Sequence, residues 1–424
     1  METTALAHTH IGQVKPTNED AWLIEPSLQL FMVADGMGGH AAGEVASAMA
    51  VDEVRRIIGA EEALLRRFAE TGKGRGEILQ LLEDAVRNAG RAIYDTAQAD
   101  ASKRGMGTTS SLLLLTPTRG FIAHVGDSRV YLIRQGEVFQ LTEDHSLINE
   151  MIRRGRLKPE EAKRAPYKNA VTRAVGVYAD VQVDTLDFEV ATGDQFLLCS
   201  DGLTEHVDVL AEVVGVLDGK QPGGPAAALV DMANKRGGKD NITALVVRVE
   251  SGGQDARRVK GPHEISLKLN VLRHMPLFQH LTYVELVEVL NVSDVHTFGA
   301  GELVFDEGSL GEEMFVVLEG MVSIRKGNVE LARLGPGGHF GEMAIMDKGP
   351  RSARVTAEQA SRLIAVGRRP LFALMRRDKE IAVKLLWCFV QVLNQRLRVT
   401  NADLLRARLD KNELQGLLHL DDFD

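Results

Sequence analysis

The chain of 424 residues is 44% hydrophobic and 26% charged, ordinary globular values at a length that suggests two or three domains rather than one core. Its formal charge of -9 sits entirely before residue 251, where 27 Lys and Arg face 36 Asp and Glu, against 23 of each sign beyond. That balance argues against a phosphate-backbone partner for the first part and suits carboxylates gathered around cations.

The opening METTALAHTHIGQV has no basic stretch leading into an apolar core. The longest apolar runs, such as Leu112 to Leu115, fall far short of the roughly 18 residues of a membrane span. Two cysteines, Cys199 and Cys388, are too few and too distant for a disulfide framework or a thiolate metal site. The reading is a soluble, cytoplasmic protein with neither membrane nor nucleic acid as partner. From Leu30 to Val249, short apolar strand candidates (LQLFMVA, SSLLLL, FIAHV, VYLIR, VDTLDFEV, QFLLC, ITALVVRV) are interrupted by helical stretches at Gly43 to Ile58, Glu77 to Ala97 and Gly224 to Lys235. The helices come in groups, which favours an α+β sandwich over an alternating parallel sheet. SGGQDARRVKGP, residues 251–262, reads as a linker between a first domain, 1–250, and a second, 263–401. In the second domain, short Gly-punctuated strands (ELVFDEG, EMFVVLEGMVSIRKGNVELARLGPGG) suggest a small β-barrel or jelly roll with flanking helices. Lys379 to about Leu409 is strongly helical, and residues 402–424 form its end and an acidic tail. Leu386, Val390, Leu393, Leu397 and Leu404 make a 3-4 stripe interrupted by Thr400. The stripe fits either a partner helix, as in a homodimer, or packing on its own domain.

Short acidic motifs end or flank the strands of the first domain: NED at Asn18 to Asp20, ADG at Ala34 to Gly36, GDSR at Gly126 to Arg129, SDG at Ser200 to Gly202 and KDN at Lys239 to Asn241. An Asp where a strand leaves the core costs about 1 to 3 kcal/mol or more if unpaired, so each needs a partner. Singly, Asp-Gly is a turn dipeptide. Together, in a chain without nearby Cys or His clusters, they fit hard divalent cations bound through oxygen, Mg²⁺ or Mn²⁺ rather than zinc.

In order and form, GQVKPTNED, VADGMGGHAAGE, GMGTT at Gly105 to Thr109, HVGDSR, LTEDHS at Leu141 to Ser146, KNAVTRAVG at Lys168 to Gly176, LLCSDGLTEH and DNITALVV resemble the bacterial form of the metal-dependent PPM, or type 2C, serine/threonine protein phosphatases. The resemblance runs from about Thr9 to Val249 and implies an αββα sandwich: two stacked antiparallel sheets flanked by helices. It also implies roles. Asp35 bridges two metal ions, with the Gly36 carbonyl on the second. Asp201 and Asp240 complete the first site, and Glu19 or Asp20 the second, directly or through water; Asp127 resembles the residue that supports a third ion. A water between two cations about 3.5 to 4 Å apart attacks phosphorus in line, with no covalent phosphoenzyme. Lys15 stands where the family has the arginine that grips the substrate phosphate, and it offers charge without a bidentate fork. Its plain alternative is a solvated surface lysine. Met37 stands where eukaryotic members have a histidine as candidate general acid; His40 lies nearby and either takes that role or caps the turn. Asp144 to Gly176 matches the family's flap. Its Arg153, Arg154, Arg156, Lys158, Lys163, Arg164 and Lys168 either attract phosphorylated substrate or form a solvated face. Cys199 is no cysteine-phosphatase nucleophile, because Glu205 occupies the place of the required arginine; it reads as a core residue.

LGPGGHFGEMAIMDKGPRSARV, Leu334 to Val355, resembles the phosphate-binding cassette of cyclic-nucleotide-binding domains, and Leu277 to about Asn401 follows that family's order of helix, barrel and helix. A glycine-rich loop opening a helical turn presents N–H groups to an anion, and Arg351 adds a charged fork. By resemblance Glu342 holds the ribose 2′-OH, Gly341 and Ala353 offer backbone contacts and Ser352 a hydroxyl. The choice between cAMP and cGMP stays open, and a purely structural barrel is the alternative. Transcription regulators of the catabolite activator class share this module but add a helix-turn-helix, which the short acidic ending LDDFD does not fit. The sequence therefore reads as a phosphatase acting on phosphorylated proteins, the products of serine/threonine kinases, gated by cyclic nucleotide. The alternative is a nucleotide-sensing scaffold with an inactive phosphatase domain.

Overall fold

The run LFMVA is apolar without alternation because both faces of its strand are covered. The computed structural model describes residues 1–38, 42–158, 161, 170–217, 223–250, 262–347 and 349–418, and the chain divides into two units, Met1–Ile265 and Ser266–Asp424. Among the described residues, the first unit has strands β1 (Thr3–His10), β2 (Asp20–Glu25), β3 (Leu30–Met37), β4 (Gly107–Thr108), β5 (Ser110–Leu115), β6 (Arg119–Val125), β7 (Arg129–Arg134), β8 (Glu137–Gln140), β9 (Asp184–Glu189), β10 (Gln195–Cys199) and β11 (Ile242–Val249). They pair antiparallel into two sheets, β1-β11-β10-β7-β8 and β2-β3-β5-β6-β9, with β4 on β3.

Helices Ala42–Ala60 and Arg75–Ala99 cover the sheet that contains β3, and helices Val209–Leu217 and Gly224–Lys235 cover the sheet that contains β11. Leu30, Met32 and Ala34 join Ala46, Val54 and Leu82 in the core under the first helix pair. Phe31 and Val33 are as deeply buried, and strand alternation turns them toward the other sheet. Phe188 of β9 meets Phe196 of β10 across the sandwich, ring centroids 5.7 Å apart. Tyr131, Leu197, Ala244 and Val246 pack with Val213 and Leu229 under the second helix pair. This is the αββα sandwich expected from the sequence. Strands β1 and β2 escaped the sequence reading because neither is an apolar run: TTALAHTH and DAWLIE are only partly covered.

Register decides where the acids go. Asp20, the first residue of β2, lies directly opposite Asp35 near the end of β3. The end of β10 lies beside the start of β11, with Cys199 opposite Ala244, so the residues on either side, Asp201 and Asp240, are neighbours. The turn that carries Asp127 leaves β6 in one sheet and enters β7 in the other.

The second unit contains β12 (Ser293–Phe298), β13 (Leu303–Phe305), β14 (Glu313–Glu319), β15 (Val322–Lys326), β16 (Val329–Leu334), β17 (His339–Phe340), β18 (Arg354–Ala357) and β19 (Ser361–Gly367). They form two open four-stranded sheets, β12-β19-β14-β17 and β13-β18-β15-β16, so the expected small barrel takes the jelly-roll form. Phe315, Val317, Phe340, Val355 and Leu363 fill its core. Helices Pro262–Arg273 and Tyr283–Asn291 precede it, and Arg368–Arg377 and Lys379–Leu418 follow. Thr282 and Glu285 close a capping box on the second of these, and Lys384 Nζ of the last helix donates to Glu285 Oε1 at 2.8 Å. Ile381, Leu385, Cys388 and Val392 are the buried face of that helix, whereas Leu386, Val390, Leu393 and Leu397 are exposed together with Val383 and Trp387. The stripe seen in the sequence is thus not the face that packs on its own unit. Residues 251–261 of the linker candidate and the tail 419–424 lie outside the described residues, and the last helix runs unbroken past residue 402. Among the described residues, no helix is long and apolar enough to cross a membrane.

Candidate active site

Backbone contacts bring the motifs together before any side chain does. The Gly36 N–H donates to the Glu19 carbonyl at 3.1 Å. A Cβ on Gly36 would stand 2.2 Å from the Gly43 carbonyl oxygen and 2.6 Å from that of Glu19, so only glycine fits there. Gly202 is held equally tightly, its Cβ position 2.1 Å from the Asn241 carbonyl oxygen. The ADG and NED motifs are therefore pressed into one unit, and SDG and KDN into another.

Polar side chains finish the frame. The Asp35 N–H donates to Thr109 Oγ1 at 2.9 Å, and its carbonyl accepts from the Thr109 N–H and from Thr108 Oγ1, each at 2.9 Å. Thr109 Oγ1 also lies 2.7 Å from Ser128 Oγ, which ties Asp35 to the turn holding Asp127. Asn241 donates through Nδ2 to the Ile11 and Thr17 carbonyls, both at 2.9 Å, and accepts the Glu19 N–H. It thereby belts the loop that carries Lys15. Thr109, Asn241 and Thr243 thus hold the frame; in the sequence only Thr243 carries a signal, a polar residue inside the apolar run ITALVVRV, whereas Thr109 and Asn241 lie just outside strands.

Asp20 Oδ2 accepts from Ser200 Oγ at 2.8 Å and from Thr243 Oγ1 at 2.5 Å, but its Oδ1 is buried with no hydrogen-bond partner among the described residues. Burial pushes the Asp35 carboxyl well above the usual range, reinforced by the charges of Asp20, Asp201, Asp127 and Asp240. Burial, then the neighbouring acids, also raises Asp20 and Asp127 to about 7 and Asp201 to about 6. Glu19 moves in the same direction, again mainly through burial. Elsewhere in this unit buried acids have arginine partners: Asp194 takes Arg134 at 2.7 and 2.6 Å, and Asp187 takes Arg119 at 2.7 Å. Here the one ion pair among the described residues is Lys15 Nζ to Asp240 Oδ1, 2.6 Å. Among the described residues no three acidic, His or Cys side chains already stand as a closed metal cage. The gathered acids, one with an orphaned oxygen, nevertheless fit a hard divalent ion: an oxygen-only donor set short of positive charge.

Of the other candidates, His40 lies outside the described residues, as do Lys163, Arg164 and Lys168 of the flap. Arg153 pairs with Glu143 and Arg154 with Glu150. At the flap base, the Gly126 N–H donates to His145 Nδ1 at 3.0 Å and the His145 N–H to the Gly126 carbonyl at 2.7 Å. Cys199 is a buried strand residue, its thiol pushed up to about 12 by burial.

The second unit has a cavity of about 480 Å³ lined by Gly341, Glu342, Arg351, Ser352 and Ala353, with Leu331 and Phe340 on its apolar walls. Arg351 is 8% exposed. Its Nη1 donates to the Glu313 carbonyl at 2.7 Å, and its guanidinium lies 4.0 Å from the Phe305 ring centroid. Burial pushes its pKa down, against the opposing pull of the Glu313 charge. Gly341, with φ of +75°, leaves the space that a Cβ would take 2.7 Å from Arg351 Nη1. All five cassette residues named from the sequence therefore border one cavity.

The αββα fold and its acid-lined site are shared with serine/threonine protein phosphatases, as the following matches show. Residues 8–230 match the family model described as Protein phosphatase 2C, and residues 295–378 that of the Cyclic nucleotide-binding domain. The serine/threonine phosphatase stp of Listeria innocua is 39% identical over 254 residues, covering 58% of this chain and 97% of that protein. Among solved structures, the Mycobacterium tuberculosis serine/threonine phosphatase PstP/Ppp superposes with a TM-score of 0.52 at 33% identity, covering 58% of this chain and 99% of that one. The catalytic domain of PstP in complex with two manganese ions gives 0.50 at 33% identity, covering 58% and 98%. The chain belongs to the protein phosphatase 2C family and carries a cyclic nucleotide-binding domain after the phosphatase domain.

The raised carboxyls make the metal-free protein sensitive to pH in a defined direction. Each keeps its proton in the folded chain where the unfolded chain has lost it, so its contribution is full below about pH 4 and lost as pH rises through about 6 to 7. In chelator-treated protein, Asp127→Asn should stabilise the fold at pH 8, on the order of 2 kcal/mol, and change little at pH 4.5. Thermal melts at the two pH values check this; an equal effect at both would place the cause elsewhere.

Proposed function

We propose that the first unit hydrolyses phosphoserine and phosphothreonine in proteins phosphorylated by serine/threonine kinases, and that cyclic nucleotide in the second unit regulates it. In this reading Mg²⁺ or Mn²⁺ is held by Asp35, the Gly36 carbonyl, Glu19, Asp20, Asp201 and Asp240, with Asp127 serving a third ion. The observation that carries it is Asp20 Oδ1, buried without a hydrogen-bond partner opposite Asp35. Bound there, paired divalent ions supply an acidified water and offset the charge of the phosphate. The chain's own work is to hold Asp35 and Asp127 in fixed relation through Thr109 and Ser128, and to offer Lys15 as a positive charge for the phosphate. Two buried free cysteines suit a reducing cytoplasm. With Mn²⁺, wild type should hydrolyse a phosphothreonine peptide, and Asp35→Asn should lose roughly 10² to 10³-fold in kcat while keeping its circular dichroism. A metal-independent wild-type rate would overturn the reading.

For the second unit the supporting observation is Arg351, a buried cation at a cavity wall whose hydrogen bonds among the described residues go to carbonyl oxygens. A cyclic phosphate in the cavity gives that guanidinium an anion for a charge-assisted hydrogen bond. Calorimetry with cAMP and cGMP should find a ligand, and Arg351→Ala should weaken it about 10- to 100-fold. Saturating nucleotide should change phosphatase turnover or substrate affinity in wild type and not in Arg351→Ala; no change in wild type would remove regulation from the proposal.

The exposed stripe of the last helix supports a homodimer. Val383, Leu386, Val390, Leu393 and Leu397 follow the 3-4 spacing of a two-stranded seam and are all exposed. Sedimentation should give a dimer for wild type and a monomer for Leu386→Lys with Leu393→Lys; a wild-type monomer at tens of micromolar would rule the dimer out.

A further inference from the structure

Lys15 has a partner it cannot keep if the site works as proposed. Its Nζ lies 2.6 Å from Asp240 Oδ1, and the two side chains are 39% and 24% exposed. The loop that carries it is stapled to the approach of β11 on both sides. The Gln13 N–H donates to the Gly238 carbonyl and Gln13 Nε2 to the Asn234 carbonyl, each at 2.7 Å. The Asn241 side chain holds Ile11 and Thr17. Gly12, with φ of +85°, sits so close to β11 that a Cβ would come 2.3 Å from the Asp240 carbonyl oxygen. The backbone under Lys15 is therefore fixed, while its four-carbon stem is free to turn. Arg129, the cation beside Asp127, is already held bidentately by Asp144 at 2.8 and 2.6 Å.

We infer that Lys15 is an exchangeable counter-ion: it neutralises Asp240 in the metal-free chain and is released to the phosphate when a divalent ion takes that carboxylate. The inference rests on the metal reading above. An ammonium and a metal ion on one carboxylate repel each other, so occupancy by one disfavours the other. The phosphate reverses the sign, since it attracts both. Metal and phosphate are thereby coupled through one side chain, and the coupling is reciprocal. Lysine suits this exchange better than an arginine would, because a planar fork would grip Asp240 with two hydrogen bonds and release it less readily.

The test is calorimetric titration of Mn²⁺ alone into the chelator-stripped full chain, without phosphate, for wild type, Lys15→Gln and Lys15→Arg. Lys15→Gln should bind Mn²⁺ about three- to tenfold more tightly than wild type, and Lys15→Arg no more tightly. Added inorganic phosphate should then tighten Mn²⁺ binding more in wild type than in Lys15→Gln. If wild type takes up no Mn²⁺, the metal reading and this inference fall together. If wild type binds and Lys15→Gln binds equally or more weakly, the exchange is wrong and the metal reading stands. Weakening of equal size in both variants would mark Lys15 as a structural support of its loop and also overturn the exchange.

Discussion

Carboxylates held close to one another with too little positive charge are the constraint around which the first unit is arranged. Asp20 and Asp35 are forced opposite each other by a strand register that the flanking residues fix from Glu25 and Leu30 onward. A one-residue slip would turn Phe31 and Val33 to the helix side and Leu30 and Met32 away from it, which the packing on both faces forbids. The repulsion is therefore imposed by the hydrophobic core. Asp187 and Asp194 show that the same chain balances buried acids with arginine where it has no use for the charge.

Glycine is what lets this arrangement form. At Gly36 and Gly202 the missing side chain lets the backbone approach the Gly43 and Asn241 carbonyls to a distance that alanine cannot reach. The cost in backbone entropy is a local one, and the return is that acids from five separate stretches meet with no loop spanning the gap. Hydroxyls then take over where carboxylates would repel: Ser200 and Thr243 each give Asp20 a hydrogen bond without adding charge.

Much of this was legible in the sequence because the signals are local. A strand that ends in Asp-Gly is visible as a run and a stop, and so are the continuous apolar runs of β3 and β5, buried on both faces. The stripe on the last helix was legible as a spacing, but whether it faces its own unit was not; that depended on Ile381, Leu385 and Val392 claiming the packed side. β1 was invisible because an edge strand of small and polar residues carries no apolar signature, and its partner β11 lies more than 230 residues away. The pairing of Lys15 with Asp240 was hidden for the same reason. Nothing near Lys15 in sequence names Asp240; the Asn241 belt and the Gln13 contacts to Gly238 and Asn234 bring them together.

The two units answer the same physical problem with opposite signs. In the first, acids gather at strand ends with little positive charge beside them; in the second, Arg351 stands at a cavity wall against carbonyl oxygens. The neighbourhood of Arg351 is also where the jelly roll holds the helices that follow it. Its Nη1 rests on the Glu313 carbonyl, and the adjoining Glu312 carbonyl accepts the N–H of Arg368, the first residue of helix Arg368–Arg377, at 2.7 Å. Two successive carbonyls at the start of β14 thus anchor the cation of the cavity on one side and the root of the trailing helices on the other. The cation at the cavity wall and the first helix after the jelly roll are therefore held by one short stretch of backbone.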